Sequence, residues 1–299
     1  MEIPGTDRRD DKEEPIDNLT LEQQLFGAAP RMVNVPEGAI DLFPQKIGPR
    51  ILHLPDTKRI LKAGPTVKMS EAEAMRLIAC ETSIPVPKVH DSYTIDGVGY
   101  ILMDHVEGKV LGDCWGTMTT ERQDAVVSQL RSYMTELRSL SGSFYGALWN
   151  QPCEDVFFSH FPFQKDAVSY GPYASRAEYN QGLLDALANS SPHGILDEDN
   201  ADLATRLLKR TDETIWFSHG DLHQRNIIID SHDRVAAIID WECSGFSIPG
   251  RDYYEARARA RARDPRWSDT LDEVFTKEAK PDFGLLKELD QALIRYTCI

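Results

Sequence analysis

The segment Phe217-Ser-His-Gly-Asp-Leu-His-Gln-Arg-Asn-Ile-Ile-Ile-Asp230 decides how the rest of this 299-residue chain is interpreted. It contains the pattern His219-x-Asp221-x-x-x-x-Asn226 and runs directly into an apolar stretch. A second apolar stretch, Val235-Ala-Ala-Ile-Ile-Asp240-Trp-Glu242, ends in two carboxylates. Polar turn residues separate the two stretches, so together they predict a β-hairpin that follows a polar loop.

These polar side chains are the types that phosphoryl transfer needs. In this reaction the protein mainly positions the reactants and stabilises charge. Mg²⁺ takes only one or two oxygen ligands from the protein, and the others come from phosphates and water. Asp221 is predicted to be the catalytic base, and Asn226 and Asp240 are predicted to be the metal ligands. His219 is expected to brace the loop. Two roles stay open at this stage, because His223 could contact substrate or metal or lie on the surface, and Glu242 could support the metal site or cap the next segment.

The chain before this segment is rich in predicted strands. Ile51–Leu54 and Arg59–Lys62 form one predicted pair, and residues 92–95 and 100–103 form another around the turn Asp96-Gly97. Between the pairs, Ser70-Glu-Ala-Glu73 has the form of a capping box and predicts a helix that runs to about Cys80. A further short helix is predicted over residues 19–26.

The character of the sequence changes after Gly108. A long amphipathic helix is predicted over 122–140, and further helices over 175–188, 201–209 and the C-terminal part, with an irregular insert at 141–172. The predicted fold is α+β and bilobed: a small β-rich lobe with one helix, and a larger, mainly helical lobe. The predicted divisions are an N-terminal extension at 1–40, the small lobe at 41–103 and the large lobe at 104–299.

Composition excludes several classes of function. The net charge is −15 and no basic stripe is present, which argues against nucleic-acid binding. No run of apolar residues reaches the length of a membrane-spanning helix, and the polar N-terminus does not resemble a secretory signal. The five cysteines are scattered, which argues against a disulfide framework or a zinc site. We therefore expect a cytoplasmic protein that acts without nucleic acid or membrane.

The motif HGDLHxxNIIID…IIDWE resembles the aminoglycoside phosphotransferase and choline kinase-like family, and most closely its fungal phosphotransferase branch, within the protein-kinase-like fold. The similarity covers about 50–260. It extends to three further runs: Ser70–Met75 with Thr82–Val89, Tyr100–Gly108, and Gly171–Asn180. Two departures leave details unassigned. No GxGxxG loop precedes Lys62, and Gly250-Arg-Asp-Tyr-Tyr-Glu255 matches only loosely the segment expected beside the substrate.

The resemblance implies a strand lysine that contacts the ATP phosphates and pairs with a helix glutamate. Lys62 fits, with Lys68 as a rival, and Glu71 is preferred to Glu73 because it shares a helix face with Met75. The inter-lobe segment comprising Met103, Asp104, His105 and Val106 is expected to offer backbone groups to adenine. Asp282-Phe-Gly284 resembles a kinase metal motif but lies too far along the chain to serve as one.

The expected activity is therefore ATP- and Mg²⁺-dependent transfer of a phosphoryl group to a hydroxyl of a small molecule, an aminoglycoside- or choline-like alcohol of unknown identity. Two alternatives remain: a non-catalytic nucleotide- or ligand-binding protein of the same fold, and a protein kinase. The second is disfavoured because no Ala-Pro-Glu segment follows Asp240.

Overall fold

A five-stranded antiparallel sheet forms the first part of the fold. The computed structural model describes residues 33–160, 168–192, 194–196, 198–263 and 265–295. The strands lie in the order β1-β2-β3-β5-β4. Their bounds are β1 Ile40–Asp41, β2 Arg50–Leu54, β3 Arg59–Gly64, β4 Val89–Ile95 and β5 Val98–Asp104. Both predicted strand pairs are confirmed, whereas the helix predicted over 19–26 lies outside the described residues.

The central position of β3 explains the environment of Lys62. This residue lies opposite Ile51 on β2 and Ile101 on β5, so backbone hydrogen bonds hold its strand on both sides. Its side chain is buried despite its charge. A lysine in the middle of a paired strand has little freedom of backbone position, which suits a residue that must hold one place.

Helix α1, Met69–Glu81, is the only α-helix between the strands of this sheet among the described residues. The predicted capping box is wrong. The helix starts one residue before Ser70, Lys68 is the N-cap in an extended conformation, and no side chain caps the first turn. Ser70 and Glu71 are buried within that turn. A capping box would have made the carboxylate of Glu73 accept the backbone N–H of Ser70. Glu73 instead forms an ion pair with Arg76.

The remainder of the chain is mainly helical, with two small sheets. Sheet β6-β8-β9 contains the predicted hairpin, and β7 pairs with β10. β10 was predicted to be helical; it is only three residues long, and its pairing with β7 depends on a distant part of the chain. The bounds are β6 Lys109–Val110, α2 Leu111–Cys114, α3 Thr120–Ser139, α4 Arg176–Ser190, α5 Glu198–Leu208, β7 Trp216–Ser218, β8 Ile227–Ile229, β9 Val235–Ile238, β10 Gly245–Ser247, α6 Arg251–Arg263, α7 Pro265–Val274 and α8 Phe283–Ile294.

One apolar core connects the sheet with the hairpin. Met75 and Ile78 of α1, Met134 of α3, and Ile227 and Trp241 around the hairpin belong to the same buried cluster. Because packed side chains of this kind move little relative to one another, the core fixes α1 relative to the loop at 219–226. A second core joins the irregular residues after α3 to α4, α5 and α8. No helix in the described part of the chain is both long and apolar enough to cross a bilayer.

Candidate active site

The loop His219–Asn226 connects β7 to β8, and Gly220 allows it to turn tightly. Gly220 has φ +78°, a conformation that favours glycine. A Cβ at this position would lie 2.4 Å from the Cys243 carbonyl oxygen and 2.6 Å from Nη2 of Arg251. Any larger residue would push the loop away from both neighbours. The neighbouring Asp221 is held in place by this close approach.

Two side chains of the motif hold the backbone and carboxylate of Asp221. The amide Nδ2 of Asn226 donates to the Asp221 carbonyl oxygen at 3.0 Å and lies 3.4 Å from its Oδ2. Asp221 donates its own backbone N–H to Nδ1 of His219 at 3.0 Å, and Nε2 of His219 donates to the Ile239 carbonyl at 3.1 Å. Burial lowers the pKa of His219, so its neutral form is favoured. The structure therefore places His219 in the bracing position expected from the sequence.

His223 lies beside Asp221 rather than on the open surface. Its Nδ1 accepts the N–H of Arg225 at 3.0 Å, which leaves Nε2 to carry the proton of the neutral ring. That Nε2 is 3.6 Å from Oδ2 of Asp221. Asn226 and His223 thus both approach the carboxylate oxygen Oδ2 with donor nitrogens.

Asp240 follows β9 in the left-handed region, with φ +65°. Aspartate tolerates this conformation better than most residues, and Asp240 lies two residues after the end of the strand. The backbone N–H of Ile239 donates to the Asn226 carbonyl at 2.9 Å. The chain segments that carry Asn226 and Asp240 are therefore joined by a backbone hydrogen bond one residue before Asp240.

Lys62 joins the sheet, helix α1 and the hairpin at a single point. Its Nζ lies 2.9 Å from Oε1 of Glu71, 2.8 Å from Oδ1 of Asp240 and 3.1 Å from Oε2 of Glu242. We call these four side chains the Lys62 cluster. The rival Lys68 forms an ion pair with Glu154 instead. Of the two glutamates weighed from the sequence, it is thus Glu71 that contacts the strand lysine.

The Lys62 cluster is dominated by negative charge, since three carboxylates surround one ammonium group. Burial by itself lowers the pKa of Lys62, but the three carboxylates outweigh it and hold that pKa above its ordinary value. Burial also raises the pKa of Glu71 to about 7, against the opposing effect of Lys62. Oε2 of Glu71 is buried without a hydrogen-bond partner. The site therefore favours the arrival of further positive charge.

A family model supplies the identification. The model described as the phosphotransferase enzyme family matches residues 52–289, which includes every residue of the Lys62 cluster and the loop of Asp221. The chain belongs to the phosphotransferase enzyme family.

A curated relative is similar to part of the chain. The chain is 30% identical over 121 residues, 38% of its length, to a subtelomeric hrmA-associated cluster protein of Aspergillus fumigatus. It spans only 23% of the length of that curated relative.

Solved structures with the same fold include a candidate fructosamine-3-kinase from Haemophilus somnus, with TM-score 0.53 and 14% identity over 93% of this chain and 90% of that one. A candidate aminoglycoside phosphotransferase from Ralstonia eutropha has TM-score 0.51 and 17% identity, with coverage of 91% and 78%. A macrolide 2'-phosphotransferase has TM-score 0.52 and 12% identity, with coverage of 87% and 83%. The predicted α+β, kinase-like fold and the suspected family are both confirmed.

Met103 and Asp104 end strand β5, and His105 and Val106 follow it. The backbone N–H of Asp104 donates to the Lys88 carbonyl at 3.0 Å, and that of His105 donates to the Lys58 carbonyl at 3.0 Å. These two amides are already used within the protein. An adenine ring would therefore have to contact the carbonyl groups of this segment or the amide of Val106.

The sequence did not reveal the residues that hold the loop His219–Asn226 on its buried side. The carboxylate of Asp252 accepts the backbone N–H groups of His219 at 3.1 Å and Gly220 at 2.8 Å. The neighbouring Arg251 is fully buried, and its Nη2 donates to the Cys243 carbonyl at 2.6 Å. The sequence shows a charged Arg-Asp pair just after Gly250, at the start of a helix. Polar residues at a helix start are usually interpreted as exposed capping residues, so the pair did not indicate a buried role.

Asp282, the first residue of the kinase-like tripeptide, plays no part in the site. It precedes helix α8 and forms an ion pair of 2.6 Å with Arg210. Asp282 is therefore held in an ion pair outside the Lys62 cluster.

Proposed function

We propose that the protein transfers the γ-phosphoryl group of ATP to a hydroxyl group of a small molecule. The observation that carries this proposal is the contact of 2.8 Å between Lys62 and Asp240, residues from the sheet and from the hairpin. It unites the proposed phosphate-binding lysine with the proposed metal ligand. Asn226 links this point to Asp221 through its backbone and its side chain.

Asp221 is the proposed base for the acceptor hydroxyl. In this role its carboxylate orients the hydroxyl and accepts its proton as the oxygen attacks phosphorus. Asn226 and His223 direct donor nitrogens at Oδ2, which supports an ionised carboxylate in a fixed orientation. Asp252 supports the same geometry from behind by holding the two residues before Asp221.

Lys62 is the proposed clamp for the ATP phosphates. It contacts three carboxylates, two of which, Asp240 and Glu242, lie on the side open to solvent. A lysine is a compact point charge that can exchange one oxygen partner for another. Glu71 would keep the lysine in position from the buried side while phosphate oxygens replace the other two. Met103, Asp104, His105 and Val106 are the proposed adenine-binding segment.

The residues present fit a magnesium ion. Asp240 and Asn226 offer oxygen ligands, and the excess negative charge of the Lys62 cluster favours a cation. In the described residues no group of three or more His, Cys, Asp or Glu side chains forms a ready-made metal site. This suits Mg²⁺, which would take most of its ligands from phosphate and water. When bound, the ion would neutralise charge on the phosphate oxygens.

The acceptor is not fixed by the family or the fold. The names of the three structural relatives refer to an aminoglycoside, a fructosamine and a macrolide, which are different small molecules. A shared fold therefore supports a small-molecule acceptor without naming it. The proposed division into a small lobe at 41–103 and a large lobe at 104–299, after an extension at 1–40, places the site where the two lobes meet.

The substitution Asp221→Asn tests the proposed base. It keeps the size and hydrogen-bonding shape of the side chain but removes its ability to accept a proton, so we expect ATP-dependent phosphorylation to fall by about 10²- to 10⁴-fold. Stabilisation by Mg-ATP in a thermal-shift experiment should remain within the range of the wild type. Turnover is measured as ADP formation that depends on a panel of alcohols and on a small-molecule cell extract.

The matched control is Asp124→Asn, which changes an exposed carboxylate on helix α3. It should turn over like the wild type. Unchanged turnover in Asp221→Asn would refute the assignment of the base. A wild-type protein that neither gains stability with Mg-ATP nor forms ADP with any alcohol would refute the proposed function as a whole.

A further inference from the structure

A cavity of about 700 Å³ lies between the first turn of helix α1 and the irregular segment that follows α3. Its walls come from residues 67–70 and Thr94 on one side, and from residues 149, 151–154, 158–159 and 168–170 on the other. Its volume falls in the range typical of small-molecule sites. Asp221, Asn226 and Asp240 are not among the lining residues. The cavity is therefore separate from the chemical site and could hold the body of a ligand beside it.

Two of its walls connect directly to the chemical site. Ser70 lines the cavity, and the next residue, Glu71, holds Nζ of Lys62 at 2.9 Å. Glu154 lines the opposite wall, and its carbonyl oxygen accepts a hydrogen bond of 3.0 Å from Nη2 of Arg251. The same Nη2 lies so close to Gly220 that a Cβ there would approach it to 2.6 Å. The cavity thus adjoins the Lys62 cluster on one side and the loop of Asp221 on the other.

Aromatic rings dominate one wall of the cavity. Phe158 and Tyr170 stack with their ring centroids 5.1 Å apart, and both are buried. The hydroxyl of Tyr170 accepts a hydrogen bond of 2.9 Å from Asn189, which fixes the orientation of the ring. Trp149 is 59% exposed at the rim. These surfaces favour an apolar or aromatic ligand body.

The charges of the lining residues argue against a polycationic ligand. Two lining residues carry a full charge, Lys68 and Glu154, and they form an ion pair with each other across the cavity. Opposite charges in contact largely cancel, so the cavity offers no surplus of carboxylates. A ligand with several ammonium groups would bring positive charge into aromatic surroundings without enough counter-charge.

We propose that this cavity binds the body of the phosphate acceptor, and that the acceptor is an uncharged alcohol with an apolar or aromatic framework. This inference rests on the proposed function, since it names the class of alcohol that the same active site phosphorylates. The hydroxyl-bearing end of the acceptor extends from the cavity towards Asp221, while the framework lies against Phe158 and Tyr170. Polycationic aminosugars are excluded as preferred acceptors, because the cavity offers no surplus of carboxylates to balance several ammonium groups.

The test measures binding separately from chemistry. Cinnamyl alcohol, farnesol, neomycin and kanamycin are titrated without ATP into the inactive Asp221→Asn protein, and thermal stabilisation is recorded. The same four compounds are then tested for acceptor-dependent ADP formation with the wild type. We expect stabilisation and turnover with members of the neutral pair and no comparable effect of neomycin or kanamycin. Stronger binding of either cationic compound, or no binding of the neutral pair, would overturn the proposal.

The variant Ser169→Trp fills the cavity from its lining without touching the Lys62 cluster, and Ser231→Trp, on the exposed turn between β8 and β9, is the matched control. We expect Ser169→Trp to weaken binding of the neutral alcohol and to raise its KM at least tenfold, with stabilisation by Mg-ATP unchanged. Ser231→Trp should resemble the wild type. Equal alcohol binding in both variants would overturn the placement of the acceptor.

The two proposals fail in different ways. If the neutral alcohols stabilise the protein but no ADP forms with any compound, the phosphotransfer proposal fails and the cavity is a binding site of another kind. If ADP forms with a cationic acceptor and Ser169→Trp has no effect on it, phosphotransfer stands and the cavity proposal falls.

Discussion

Two buried cations in this protein, Lys62 and Arg251, both contact carboxylates. They differ in how far those carboxylates are exposed to solvent. Lys62 contacts three carboxylates, and Arg251 contacts Glu255 at 3.1 Å and Asp155 at 3.5 Å. The side chains of Asp240 and Glu242 beside Lys62 are 31% and 41% exposed, whereas both partners of Arg251 are 1% exposed. The first arrangement can exchange partners with an arriving ligand, and the second cannot.

The choice of cation matches this difference. The guanidinium of Arg251 spreads its donors over two backbone carbonyls and Glu255, which only a planar group with several N–H donors can do. The single ammonium of Lys62 gathers three acceptors at one point. Arg251, whose carboxylate partners are both buried, supports the fold. Lys62, two of whose partners reach solvent, can bind an arriving ligand. Substitutions at the two centres should therefore affect different properties.

The largest effect is expected from Arg251→Met, on stability. The change removes the cation beside the buried carboxylates of Asp155 and Glu255, together with its hydrogen bonds to two carbonyl oxygens. Breaking a buried pair by removing one partner lowers the free energy of unfolding by about 3–5 kcal/mol. Urea unfolding followed by circular dichroism measures the loss, and failure to fold would be its extreme form.

Arg234→Met is the matched control, because the Arg234 side chain is 68% exposed and pairs with Asp230 on the surface. Its loss should stay within about 1 kcal/mol. Arg251→Lys keeps the charge but not the fork of donors, so its stability should lie between those of the wild type and Arg251→Met. Equal urea midpoints for Arg251→Met and the wild type would contradict the comparison.

The next largest effect is expected from Lys62→Met, on catalysis. Loss of one preorganised charge at the phosphates typically lowers kcat by about 10²- to 10³-fold. Folding should suffer less than in Arg251→Met, because two of the three carboxylates left behind reach solvent and Glu71 can take up a proton. Lys58→Met, which alters an exposed lysine paired with Glu107, is the control. The comparison breaks down if Lys62→Met loses as much stability as Arg251→Met.

The smallest effect concerns the pH dependence of stability. Burial raises the pKa of Glu71 to about 7, so between pH 4.5 and 7 the folded protein holds this proton more tightly than the unfolded chain does. By linkage, the contribution of Glu71 to stability declines as pH rises through that window. Glu71→Gln has no proton to lose. Its stability relative to the wild type should therefore increase by about 1–2 kcal/mol from pH 4.5 to 7.5.

Urea titrations of both proteins at several pH values provide the measurement, and only the difference between the two curves is interpreted. A difference that is flat, or that falls with rising pH, would mean that the buried carboxyl group titrates in its ordinary range. Arg251→Lys should not alter this difference, since its network shares no residue with the Lys62 cluster.

Local signals in the sequence were enough for much of the fold and for part of the site. Strand alternation around tight turns located β2 to β5 and the hairpin β8–β9, and the apolar spacing of Val126, Leu130, Met134 and Leu137 located α3. Lys62 and Glu71 were named because the family resemblance implies a strand lysine that pairs with a helix glutamate. Their contact is present in the structure, while their roles remain proposals.

The features that the sequence did not predict depend on distant partners. Strand β10 exists because β7 lies beside it, and α1 begins at Met69 without the predicted cap because its first turn is buried. Asp252 lies more than thirty positions after the backbone groups that it holds. Periodicity and capping rules describe neighbours along the chain, so they carry no information about such contacts.

Arg251 and Asp252 are consecutive residues in the first turn of α6, yet they bind the two sides of the active site. Asp252 holds the chain just before Asp221, and Arg251 holds the carbonyl of Cys243, three residues after Asp240. A small displacement of this helix would carry both segments with it and leave the separation between Asp221 and Asp240 nearly constant. The first turn of α6 therefore acts as a shared support, which preserves the spacing of these two carboxylates when the surrounding helices shift.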